Sequence, residues 1–191
     1  MNPSAVEPPS SPDRYGSVAQ AIHWATALLV VAAYAYGPGG SERSAYRPSR
    51  DAQRLIHETL GMSVLVLTLV RIVWARLDRR PIHHLAAPFA TMARVVQWLL
   101  YGLLVAVPCA AIAGAWLGGH PVELLGGWRF PAPLATDPGL AGLMVTIHTR
   151  LGNVILWIAA IHASGAAYHH LVLKDQVLAS MLPSRALARR P

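Results

Sequence analysis

Nine histidines stand in this 191-residue chain, and four of them, His23, His57, His148 and His162, lie inside or at the ends of long apolar stretches. Ionisable side chains are expensive in apolar surroundings and mark function there by default. Imidazole is both a transition-metal ligand and a proton carrier, so the question is whether the four can converge. His148 and His162 are 14 residues apart. At the helical repeat this is about 40° short of four turns and roughly 21 Å along the axis, so both rings share one face at two heights. His57 and Arg71 have the same 14-residue spacing, which puts Arg71 on the His57 face one level away.

The elements that must position these residues are apolar rods. Hydrophobic residues make up 54% of the chain, charged residues 13%, and mean hydropathy is +0.39. A soluble domain carries about a quarter charged residues. Gly and Pro, 15 each, are too few and scattered for a low-complexity or collagen-like chain. The single Cys109 excludes an internal disulfide framework and Cys-based zinc or iron–sulfur sites. The net charge is +7, and 15 of the 16 basic residues are Arg. Such a surplus suits nucleic acid or a membrane surface, and the apolar runs select the membrane.

Crossing the hydrocarbon core takes about 20 predominantly apolar residues. Four windows qualify: Val18–Gly37, Leu55–Trp74, Val95–Leu117 and Leu140–Leu173, the last with Arg150 as its only charge before its end. The fold class is therefore all-α, an integral membrane four-helix bundle over 15–183. Residues 1–14 carry four Pro and no basic start, and read as a disordered tail rather than a cleaved signal. Residues 184–191 form a basic tail. The segment 38–54 is rich in Gly, Ser and Arg; 118–139 is rich in Gly and Pro, and its Trp128 suits an interface.

Orientation follows from Lys and Arg. With the N-terminus inside, the inner segments hold nine (Arg14, Arg76, Arg79, Arg80, Arg94, Lys174, Arg185, Arg189, Arg190) and the outer segments five (Arg43, Arg47, Arg50, Arg54, Arg129). Both termini are thus expected in the cytoplasm. His57 and His148 then share an outer level, and His23 and His162 an inner level. Each level has one His from each of two helices, the arrangement that clamps one haem iron from both sides at each height. His57 and His148 begin HETLG and HTRLG, with Gly61 and Gly152 four residues on; Gly165 follows His162 by three. These positions share the ligand's face and leave room for a flat macrocycle. Arg71 at the inner level, and Arg54 one turn before His57, are candidates for haem propionates.

Plainer readings compete with each feature. A lone intramembrane His is more often a packing residue than a ligand, and small residues also serve helix packing. His83, His84 and His120 read as solvated loop residues, and His169 and His170 as interfacial. Trp24, Trp74, Trp98 and Trp157 read as belt or packing residues, and Pro108 as a kink in the third helix.

The chain resembles the bacterial di-haem cytochrome b561 family. The segments that carry the resemblance are RYGSVAQAIHW, HETLG with LVRIVWAR, LLYGLLVAVPCAAIAG, and IHTRLGNVILWIAAIHASGAAYHH with LVLKD. They span Arg14 to Pro183. The resemblance implies a four-helix cytochrome of the inner membrane with two b haems. It implies that His23 and His162 bind the cytoplasmic-side haem iron, and His57 and His148 the periplasmic-side one. It also implies a quinone site, with ubiquinone as the natural partner, near His169 and Ser17. Family members often have a histidine early in the third helix, where this chain has Gln97, so no role is carried to that position.

The function expected is transmembrane electron transfer through two bis-histidine haems that exchange electrons with quinone. With both axial positions filled, such iron passes electrons rather than activating O₂. His169, Lys174 and Asp175 at the inner rim are candidates for supplying the protons quinone needs. Some family members are thought to oxidise superoxide, and Arg43, Arg47, Arg50 and Arg54 would form a positive funnel for such an anion; lipid phosphates and propionates are their plainer partners. A reading from another class is a haem-binding anchor subunit that relays electrons from a partner dehydrogenase or hydrogenase. A haem-free proton or metal transporter is disfavoured, because Glu58 is the only acid in any span and sits at an end.

Overall fold

The computed structural model describes residues 14–38, 45–78 and 87–182, the side chains of 87–89 excepted. The tail 1–13, Arg43, Arg79, Arg80, His83, His84 and the basic end 184–191 lie outside the described residues. Four long helices run up and down: α1 (Ser17–Ala35), α2 (Asp51–Leu77), α3 (Ala87–Leu117) and α4 (Pro138–Tyr168). Each is long and apolar enough to span a bilayer. At most 11% of any span window is buried within the protein. Leu28, Val31, Trp157 and Ile161 all lie more than 60% exposed on the outside. Apolar surface of that extent belongs in lipid, where only self-bonded helices or closed barrels can cross. The protein is an integral membrane four-helix bundle.

The helix ends differ from the sequence expectation in two places. α3 begins at Ala87 rather than near Val95, because Pro88 falls in the first turn, where its missing N–H costs nothing. The segment after α3, expected as a plain loop, forms a hairpin of β1 (Val122–Leu124) and β2 (Trp128–Phe130), with Glu123 opposite Arg129. Gly126 and Gly127, at φ 91° and 84°, make the reversal that other residues resist. α4 starts at an Asp137 cap that accepts from the Gly139 and Leu140 amides, both at 3.0 Å, with Pro138 at its first position. It ends in a π-helical turn, His169–Leu173, which Lys174 closes at φ 54° before the short α5 (Val177–Ser180).

α3 packs along α4 and α1 along α2, with α2 also touching α3; α4 makes little backbone contact with α1 or α2. Gly114 explains the closest approach: a Cβ there would lie 3.2–3.3 Å from Val145 and Met144 of α4. The buried core of Val64, Leu104 and Ile155, with Leu29, Val30, Leu100 and Leu103 around it, occupies mid-bundle. Ile155 stands midway between His148 and His162 in sequence, and Val64 midway between His57 and Arg71.

The two ends of the described chain are clasped together. Arg14 donates to the carbonyls of Ala179 and Leu182, Gln20 donates to that of Ser180 at 2.9 Å, and Trp24 to that of Met181 at 2.8 Å. This puts the start of α1 and the segment after α4 at one end of the bundle, as an even number of crossings requires.

Candidate functional site

α4 brings His148 and His162 to the same side of the bundle, each opposite a histidine from another helix. The His57 and His148 ring centroids are 5.8 Å apart, and those of His23 and His162 are 6.4 Å apart. A metal–imidazole bond is about 2 Å and a ring nitrogen lies roughly 1 Å from its ring centre, so imidazoles on opposite sides of one metal have centroids about 6 Å apart. The first pair lies at the end that carries the hairpin and the C-terminus of α1. The second lies at the clasped end. Both pairs bridge helices that do not pack closely on one another.

The outer rings are oriented by backbone carbonyls. His57 Nδ1 lies 2.7 Å from the Ala33 carbonyl oxygen, and His148 Nδ1 lies 2.9 Å from that of Val107. A carbonyl only accepts, so each Nδ1 carries the proton and each Nε2 keeps its lone pair for a metal. Ala33 is available because it falls in the last turn of α1, where the Gly37 amide bonds Tyr34 instead. Val107 lies within α3, where its carbonyl oxygen has a second lone pair to offer the ring. Neither acceptor was foreseen from the sequence, although the end of α1 was a visible signal for Ala33. At the inner level His23 Nδ1 is buried and has no hydrogen-bond partner among the described residues.

The glycines behave as a cradle would. A Cβ on Gly61, Gly152 or Gly165 would meet nothing within 4 Å, in contrast to Gly114. Space, rather than helix contact, lies beside the histidine pairs. Two facing imidazoles with free Nε2 positions and open room beside them fit a b-type haem. Gly152→Phe is expected to fill the space beside His148 and to lower haem content, checked by the haem-to-protein ratio of the purified variant.

The arginines separate in role. Arg71 stands about four turns along α2 from His57, towards the inner level, and its guanidinium lies 5.4 Å from the Tyr101 ring centre. Arg54, expected at a propionate, is held by carboxylates of this chain, Glu58 and Glu123 at 3.0 Å and Asp51 at 3.5 Å. Glu123 in turn receives Arg129 at 2.6 Å and donates its amide to Glu58 at 2.7 Å. The Arg54 guanidinium holds the Glu123 carboxyl below its ordinary value. Arg54 is thus a latch between α2 and the hairpin and adds no unpaired charge to an outer funnel. Tyr46 lies between it and His120, 4.9 Å from Arg54 and stacked on His120 at 3.6 Å, so His120 is not a free loop residue.

At the clasped end, His169 Nδ1 lies 2.5 Å from Asp175 Oδ2, a pairing made by the π-turn that brings the chain back on itself. Ser17 is exposed in the first turn of α1 at the same end.

Comparison with known proteins agrees with this architecture. A family profile described as prokaryotic cytochrome b561 matches residues 14–184. The chain is 31% identical over 176 residues to a probable superoxide oxidase, CybB, of Yersinia pestis, covering 90% of this chain and 97% of that protein. It is 32% identical over 170 residues to a cytochrome b562 of Cereibacter sphaeroides, covering 86% and 92%. It is 25% identical over 175 residues to cytochrome b561 homolog 2 of Escherichia coli, covering 91% and 93%. With histidines paired across a membrane bundle and this match over nearly its whole length, the chain belongs to the prokaryotic cytochrome b561 family, b-type cytochromes of bacterial membranes that carry electrons.

Proposed function

We propose that this protein passes electrons across the bacterial inner membrane through two b haems, from periplasmic superoxide to membrane quinone. His57 and His148 would hold the outer haem, and His23 and His162 the inner one. Bound there, haem supplies one-electron chemistry without an open site for oxygen. The observation that carries the reading is the pair of facing imidazoles at each of two levels, 5.8 Å and 6.4 Å between centroids.

The chain's own residues do the rest. The Ala33 and Val107 carbonyls fix the outer rings. Val64, Leu104 and Ile155 exclude water between the levels. Arg71 offers the inner propionate a counter-charge. The His169–Asp175 pair holds a proton at Nδ1 beside the inner rim and serves quinone reduction, with Ser17 on the same rim. Two superoxide anions each give up one electron and leave as O₂; one quinone takes both electrons with two cytoplasmic protons. The excess of inner Arg and the clasp of Arg14 to Ala179 and Leu182 support both termini in the cytoplasm.

The test is haem stoichiometry and turnover on one purified sample. Two haems per chain and superoxide-dependent quinone reduction in proteoliposomes are expected. One haem per chain, or a fully loaded protein that reduces no quinone, refutes the proposal.

A further inference from the structure

The two histidine levels differ in what surrounds them, and the differences all act in one direction on redox potential. At the outer level both rings donate Nδ1–H to backbone carbonyls, Ala33 at 2.7 Å and Val107 at 2.9 Å. Such a bond makes the imidazole a stronger base and a better donor to iron, which favours the ferric state. At the inner level the buried His23 Nδ1 has no acceptor among the described residues.

Charge adds to the contrast. The outer cations Arg54 and Arg129 face three carboxylates, Asp51, Glu58 and Glu123. Arg47 is exposed just before the turn Pro48–Arg50, and Arg50 donates to the Pro38 carbonyl. The inner level has Arg71, about four turns along α2 from His57 on the same face and six residues before that helix ends. No ion pair to Arg71 is found among the described residues, and its guanidinium rests on the Tyr101 ring. A propionate at each level would be offset by Arg71 at the inner one, whereas the Arg54 charge at the outer is already balanced by carboxylates of this chain, which hold both its terminal nitrogens. Ferric iron carries one more positive charge than ferrous, so a nearby guanidinium in a low-dielectric site disfavours the oxidised form.

We infer that the chain makes the inner level the more oxidising of the two, with Arg71 as the residue that sets the difference, so that an electron entering at the periplasmic face settles beside the cytoplasmic rim. The inference rests on the two-haem reading and gives it a built-in direction. Arg71 acts here as a positioning and tuning residue; it takes no part in electron transfer itself.

The experiment is an optical redox titration of the haem-loaded protein, with haem content measured on the same sample. Two one-electron steps are expected, separated by about tenfold or more in equilibrium constant, about 59 mV per tenfold. In Arg71→Gln the higher step moves down towards the lower, which stays in place. Arg71→Lys keeps the charge and restores most of the separation. Glu123→Gln, outside the membrane, leaves the Arg54 charge less compensated and moves only the lower step upwards. With two haems present, a higher step that ignores Arg71→Gln, or a lower step that moves with it, overturns the inference while leaving the two-haem reading intact. A single haem in the parent protein overturns the reading itself, and the inference with it.

Discussion

If each histidine pair holds one haem, as we propose, replacing His57 with Ala is expected to remove that haem and leave the other, so that the haem-to-protein ratio falls from two to about one. His162→Ala does the same at the other level. The partners dictate this independence: among the described histidines the ring facing His57 is that of His148 and the ring facing His23 is that of His162, with centroid separations of 5.8 Å and 6.4 Å. The levels share α4, but Ile155 and the core around Val64 and Leu104 lie between them. Sites separated by roughly 20 Å of helix, with no shared side chain, respond additively as a rule. Each variant retains a distinct spectrum. His57→Ala keeps the step that responds to Arg71, and His162→Ala keeps the step that does not. Both haems retained in His57→Ala, or both lost in a variant that still folds, would break the pairing.

The long-range geometry was legible because a membrane removes most alternatives. Twenty apolar residues must be helix, helices must cross, and a 14-residue spacing must place two side chains on one face. His148 and His162 on α4, and Arg71 near the inner pair, follow from that alone. The missed features depend on backbone groups or on distant contacts. The Ala33 and Val107 carbonyls carry no side-chain signature, and Ala33 becomes an acceptor through a helix end. The strands Val122–Leu124 and Trp128–Phe130 are three residues each, too short for alternation to show in a Gly-rich segment. The ion pairs of Arg54 could not be read from its neighbours in sequence alone. Glu123, 69 residues away, is brought to it only by the hairpin. The clasp of Trp24 to Met181 is equally remote in sequence.

That latch gives the largest expected effect outside the histidines. Arg54 and Glu58 have side chains only 11% and 15% exposed, and Glu123 is 23% exposed. Arg54→Leu leaves two carboxylates without their shared cation, and removing one partner of a buried pair costs about 3 kcal/mol or more. The hairpin keeps the Glu123 amide on Glu58, at 2.7 Å, the Leu125 amide on Thr59, at 2.9 Å, and the buried Val122. Cleavage at the exposed Gly126–Gly127 turn tracks the population of the open hairpin when reclosing is fast. About 3 kcal/mol of lost latch energy therefore accelerates limited proteolysis there roughly 100-fold. The triple replacement Arg54→Leu, Glu58→Leu, Glu123→Leu removes the stranded charges together with the cation, so it opens less readily than Arg54→Leu alone. A propionate-binding Arg54 would give the opposite pattern, with haem lost from the outer level and the hairpin protected as in the parent. Equal cleavage rates for Arg54→Leu and the parent protein would show that the carboxylates hold the hairpin without it.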